Sequence, residues 1–131
     1  MRQGVRRAAL ALVLIGTLAS ASANPNSSLS LMFIVCGEDV SGVGLERHAD
    51  GAQLVLQLTE TSSEDLARLT GNYRGARLHV MADDVVVSSA TIGERISNGR
   101  VASMTLEATE AEALLADVQD RLANAPCNPG L

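Results

Sequence analysis

Two histidines, one pair of adjacent aspartates, the adjacent serines Ser88-Ser89 and two cysteines are the residues of this 131-residue chain that first invite a chemical reading. His48 and His79 are the only imidazoles, and neither has a cysteine or carboxylate at the spacing a metal site uses. Asp83-Asp84 could share a metal or a proton, but adjacent acids between two alternating runs read first as turn residues. Ser88 and Ser89 have no histidine near them in sequence and lie in no Gly-x-Ser-x-Gly elbow. No glycine-rich phosphate loop of Walker or Rossmann spacing is present. A base, an orienting group and oxyanion donors cannot be assembled from this inventory. The expectation is therefore no catalytic, cofactor-binding or metal site: a protein that is not an enzyme.

The cysteines take their meaning from the N-terminus. Arg2, Arg6 and Arg7 precede the apolar run Ala8 to Ala19, and Ala21-Ser22-Ala23 then supplies a small-x-small cleavage site. That order is a secretory signal over residues 1–23, cleaved after Ala23. The apolar run has 12 residues, whereas a membrane span needs about 20. An uncleaved anchor is the lesser alternative, and no cysteine follows the site to accept a lipid. Arg6-Arg7 leave both the Sec and the twin-arginine routes open. The expected location is periplasmic, with residues 24–131 forming one domain and no stable membrane anchor. In that oxidising compartment an even count of two cysteines reads as one disulfide, Cys36 to Cys127. A redox-active pair is the weaker reading, because the two are not in a Cys-x-x-Cys arrangement and nothing basic adjoins either.

Losing the three signal arginines moves the formal charge from −5 to −8. An acidic domain whose sequence shows no basic cluster is a poor partner for nucleic acid or anionic lipid. With one Tyr, one Phe and no Trp there is little aromatic area to bury, so a staple closing nearly the whole domain carries weight.

The elements that must position these residues follow from periodicity. Leu29 to Cys36 is a short apolar run of strand formers. Val43 to His48 and Gln53 to Thr59 flank Ala49-Asp50-Gly51-Ala52, a hairpin signal because Asp-Gly accepts positive φ. Leu54, Leu56 and Leu58 alternate with polar or wet positions, so one face of that strand is buried. Thr61-x-x-Glu64 matches a capping box, and Leu66, Leu69, Thr70 and Tyr73 form the apolar stripe of the helix behind it. The loop Asn72-Tyr73-Arg74-Gly75 carries the only Tyr beside an Arg, a composition favoured at interfaces, but because Tyr73 completes the helix's apolar stripe, core packing is its expected role. Ala76 to Ala82 alternates with Leu78 and Val80 inward and Arg77, His79 and Met81 outward. Asp83-Asp84 turns the chain into a strand over Val85 to Ile92. Asn98-Gly99 leads to another strand near Arg100 to Leu106, and Thr109-x-x-Glu112 starts a second helix with Ala111, Leu114, Leu115, Val118 and Leu122 inward. The fold class is α+β, a mainly antiparallel sheet with two helices.

Several of these segments stand in a familiar order. Leu54-Val55-Leu56-Gln57-Leu58-Thr59 is followed by an acidic helix, then by Gly75-x-x-Leu78-x-Val80, Asp83-Asp84-Val85-x-x-Ser88-Ser89-Ala90-Thr91-Ile92, Ile96-x-x-Gly99-Arg100 and Thr109-Glu110-Ala111-Glu112-Ala113. Together, over about Val40 to Leu122, they resemble the head subdomain of the first periplasmic domain of SecD, the accessory subunit of the Sec preprotein translocase. Asp84 replaces a turn glycine of that family, and Ser89-Ala90 replaces its Ala-Pro. The resemblance implies the head's α+β fold. It further implies a non-enzymatic periplasmic module that binds polypeptide or a partner protein in export. The alternative is an envelope structural or interaction protein that reuses the fold without a role in secretion. Open sheet edges and exposed sheet faces are the expected binding surfaces.

Overall fold

The computed structural model describes residues 25–125 and 127, so the export signal of residues 1–23 lies outside the described residues. Among the described residues six strands and two α-helices follow in order: β1 (Ser30–Val35), β2 (Val40–His48), β3 (Gly51–Leu58), α1 (Glu60–Asn72), β4 (Arg77–Ala82), β5 (Val85–Thr91), β6 (Arg100–Ala102) and α2 (Ala108–Asn124). They build two three-stranded sheets, in the orders β1-β4-β5 and β2-β3-β6. Among the described residues only the β1–β4 pair is parallel; the other three ladders are antiparallel.

The alternation read from the sequence decides what each sheet buries. Leu54, Leu56 and Leu58 of β3 are buried, as are Leu78, Val80 and Ala82 of β4. Val35, Leu66 and Val118 close the same apolar cluster, so α1 and α2 supply its remaining walls. Each fully buried leucine contributes about 2 kcal/mol, which is why five fully buried or nearly buried leucines can replace missing aromatic rings.

The element boundaries depart from the sequence reading where tertiary bonds extend a strand. The N-cap of α1 is Thr59, whose side chain accepts from Ser62 N, rather than Thr61. Leu58 N–H donates to Gly99 O and Thr59 N–H to Asp39 O, so the chain stays extended to 59 and the helix starts at once behind it. Likewise Leu106 exchanges backbone bonds with Ala52, and α2 begins behind Glu107, two residues before the expected cap at Thr109. The strand expected over Arg100 to Leu106 is a ladder only to Ala102. Beyond it the Ser103 hydroxyl accepts from Leu54 N–H at 2.9 Å and interrupts the pairing.

Two glycines show what the turns require. The hairpin loop is Ala49-Asp50, since His48 pairs with Gly51, and neither loop residue has positive φ. Gly51 instead opens β3 at φ 148°, where a Cβ would run into Leu106 O. Gly99, at φ 68°, supplies the left-handed residue expected of Asn98-Gly99. At the β4–β5 tip the positive φ of 57° falls on Asp83, not on Asp84 where the family pattern has glycine.

Candidate functional site

Cys36 and Cys127 are disulfide-bonded, with Cα atoms 5.0 Å apart across a sequence separation of 91. The bond joins the end of β1 to the tail behind α2. Beside it Asp39 accepts from Cys36 N–H (2.9 Å) and from the Ser62 hydroxyl (2.8 Å), which seats the N-terminus of α1.

Asp83 and Asp84 do not form a free acidic pair. Arg121, in the last turn of α2, reaches Asp84 at 2.7 Å, Asp83 at 3.3 Å and its own helix neighbour Asp117 at 3.3 Å. The hydrogen bond to Asp117, then the charge of Asp84 and the bond to Asp83, raise the Arg121 pKa above the ordinary arginine value. These acids act as a clamp between the β4–β5 tip and α2.

The histidines stand apart. His48, at the end of β2, bonds Gln53 Oε1 at 2.8 Å and lies 3.3 Å from Glu46. His79 sits on the outer face of the β1-β4-β5 sheet, between Ser89 Oγ on Nδ1 (2.7 Å) and Ser30 Oγ on Nε2 (3.1 Å). In sequence Ser89 has no histidine beside it. A straight hairpin around Asp83-Asp84 would set Ser88 opposite His79, but the ladder shifts register between Val80 and Met81, and Val87 becomes the extra residue. His79 therefore faces Ser89, and no local sequence signal marks that bulge. The three side chains bridge three adjacent strands on a sheet face. Among the described residues no carboxylate bonds the His79 ring, and no group of three His, Cys, Asp or Glu side chains could hold a metal ion.

The strand edges differ in how they are protected. β6 has three residues, β2 is bulged between Val40 and Gly42 and ends in Glu46-Arg47-His48, and β5 lies across the Val80/Met81 irregularity. Short length, bulges and charge all discourage further pairing. β1 has none of these: its six residues, Ser30 to Val35, pair with β4 in unbroken register and carry no charge. On its outer face Met32 is 63% and Ile34 58% exposed. Met81 stands opposite Ile34 in the ladder, and Val86 opposite Met81, so an apolar strip crosses the sheet beside the open edge. Among the described residues β4 is the only strand paired with β1.

A second surface is a cleft of about 290 Å³ between β5 and β6, whose apolar lining includes Leu78, Val80, Ile92, Ile96 and Val101. Thr70 fixes the segment that carries Ile96. Buried in α1, its hydroxyl donates to Leu66 O at 2.8 Å and accepts from Ile96 N–H at 2.9 Å, which holds the loop after β5 in place.

Two small sheets, a parallel edge strand and two helices closing one apolar cluster define a compact α+β head module. The chain belongs to the family described as SecDF, P1 head subdomain, whose model matches residues 9–118. That match begins within the apolar stretch read as the export signal and ends within α2. Among solved structures, a crystal structure of SecDF in its super-membrane-facing form aligns with 65% of this chain at TM-score 0.54 and 22% identity. A second SecDF structure, described as a membrane component that enhances protein export, aligns with 65% of this chain at TM-score 0.54 and 21% identity. This chain spans only 12% of the first of those chains and 39% of the second. No curated protein matches the chain. Among the described residues no helix is long and apolar enough to cross a membrane.

Proposed function

We propose that this chain is a non-enzymatic periplasmic module that binds extended polypeptide in protein export, by adding it as a further strand on β1. The observation that carries the reading is the uncharged, unbulged edge of β1 beside exposed Met32 and Ile34. Strand addition draws affinity from main-chain hydrogen bonds and tolerance from side-chain contacts on alternate positions. That suits a binder of many unfolded sequences. Membership of the SecDF head family and the likeness to a SecDF described as enhancing export support the link to secretion. The disulfide is in keeping with an oxidising compartment.

The test is photo-crosslinking in cells from a reactive residue at position 32 or 34, with position 47 on the charged β2 edge as the control. Exported chains caught in transit at 32 and 34, and not at 47, are the expected result. Recovery of folded envelope proteins alone would replace this reading with that of an envelope interaction protein. Equal capture at 47 would remove β1 from the account.

A further inference from the structure

Four of the seven arginines behind the signal region are ion-paired. Arg47 meets Glu112 at 3.3 Å, Arg68 meets Asp65 at 3.2 Å, Arg100 meets Glu46, and Arg121 holds the three aspartates described above. Among the described residues the guanidinium groups of Arg74, Arg77 and Arg95 make no ion pair and no side-chain hydrogen bond. This is unexpected in a chain with 15 acidic residues.

The three are brought to one end of the molecule by backbone bonds that no sequence pattern announces. Gly75 N–H donates to Ile92 O and Ile92 N–H to Ala76 O, so the loop carrying Arg74 lies against the chain that leads to Arg95. Arg77 N–H donates to Leu29 O, which adds the start of β1 to the same end. All three arginines are exposed, and beside them Leu29 is 39% and Tyr73 38% exposed. Glu64 and Glu94 are the nearby acids, and neither pairs with these arginines.

We infer that this end, carrying Leu29, Tyr73, Arg74, Arg77 and Arg95, docks on an anionic phospholipid surface. Three features favour a membrane over an acidic polypeptide. The arginines without ion pairs are confined to one end of an acidic body, where they outnumber the nearby Glu64 and Glu94 by three to two, so an anionic plane attracts that end and repels the rest. A tyrosine and an aliphatic side chain stand among the arginines, the composition that settles at the headgroup level. Finally, the chain comes in here: Asn26 Nδ2 donates to Arg74 O at 2.8 Å, so residues 1–24 attach at this same end. An export signal engages the membrane until it is cut, so on the reading of residues 1–23 given above the basic end is the part of the fold next to the headgroups up to cleavage.

The single tyrosine of a chain without tryptophan makes the test local to the surface in question. Full-length protein is mixed with phosphatidylcholine vesicles, with and without phosphatidylglycerol, whose acyl chains carry bromine near the headgroup. Arg2, Arg6 and Arg7 also favour anionic lipid, so R74S/R77S/R95S, which keeps them, reports what residues 1–24 contribute by themselves. Tyrosine emission should be quenched further on phosphatidylglycerol vesicles, and high salt should remove that increment. Each Arg→Ser change at 74, 77 or 95 should weaken the anionic-lipid component about fivefold, and R74S/R77S/R95S roughly a hundredfold. Quenching that ignores phosphatidylglycerol, or an unaltered triple variant that remains folded by circular dichroism, would overturn the inference. So would an arginine-dependent response to polyglutamate with none to vesicles, which would make the surface a site for acidic polypeptide instead.

Discussion

At the end of the molecule where β1 finishes, the Cys36–Cys127 bond, the Asp39–Ser62 hydrogen bond and three carboxylates around Arg121 tie both helices to the first sheet. At the opposite end, where β1 and β4 begin, the guanidinium groups of Arg74, Arg77 and Arg95 stand exposed with no ion pair or hydrogen bond among the described residues. Charge is thus used in two ways in one small domain. Satisfied against carboxylates it fixes elements, and left unsatisfied it is available to something outside the chain. The contrast separates residues whose loss should be felt in stability from residues whose loss should be felt only in binding.

The largest expected effect on that comparison is at the disulfide. Replacing Cys36 and Cys127 together by serine frees a loop spanning 91 residues, and the chain-entropy model assigns such a loop about 4–5 kcal/mol. Urea unfolding should show a loss of that order. A loss under about 1 kcal/mol would mean that the clamped end is held without its staple.

Ser62→Ala should come next. The hydroxyl is buried and bonds the Asp39 carboxylate, so its removal should cost about 1–2 kcal/mol. A change within error would show that Asp39 is satisfied by Cys36 N–H alone.

The smallest and sharpest test sets arginine against arginine. Arg121→Ala should lower the urea midpoint measurably, because three carboxylates lose their common partner, whereas Arg74→Ser should leave the midpoint unchanged. With the Arg121 pKa raised, its pairing persists as pH rises through the neutral and mildly alkaline range. The difference between the two variants should therefore be the same at pH 7 and pH 9. Equal midpoints for the two would erase the distinction between the ends.

Much of the framework was legible in the residues. The alternation of Leu54, Leu56 and Leu58, the turn at Asp83-Asp84 and the inward Leu78 and Val80 all appear as read. Helix starts were misplaced by two residues in each case, since a capping pattern states where a helix can begin and not how far the preceding strand is held. Tyr73 was expected in the core, but α1 stops at Asn72 and leaves Tyr73 as an exposed cap.

What the sequence by itself determined is the set of local alternations and turns, because side-chain period and φ preference act over a few residues. The parallel pairing of β1 with β4, the bulge that sets His79 against Ser89, and the split between paired and unpaired arginines were decided only in the tertiary structure. Each depends on which distant segments share an edge or an end. That choice is made by the burial of the whole apolar cluster at once, and no window of sequence contains it.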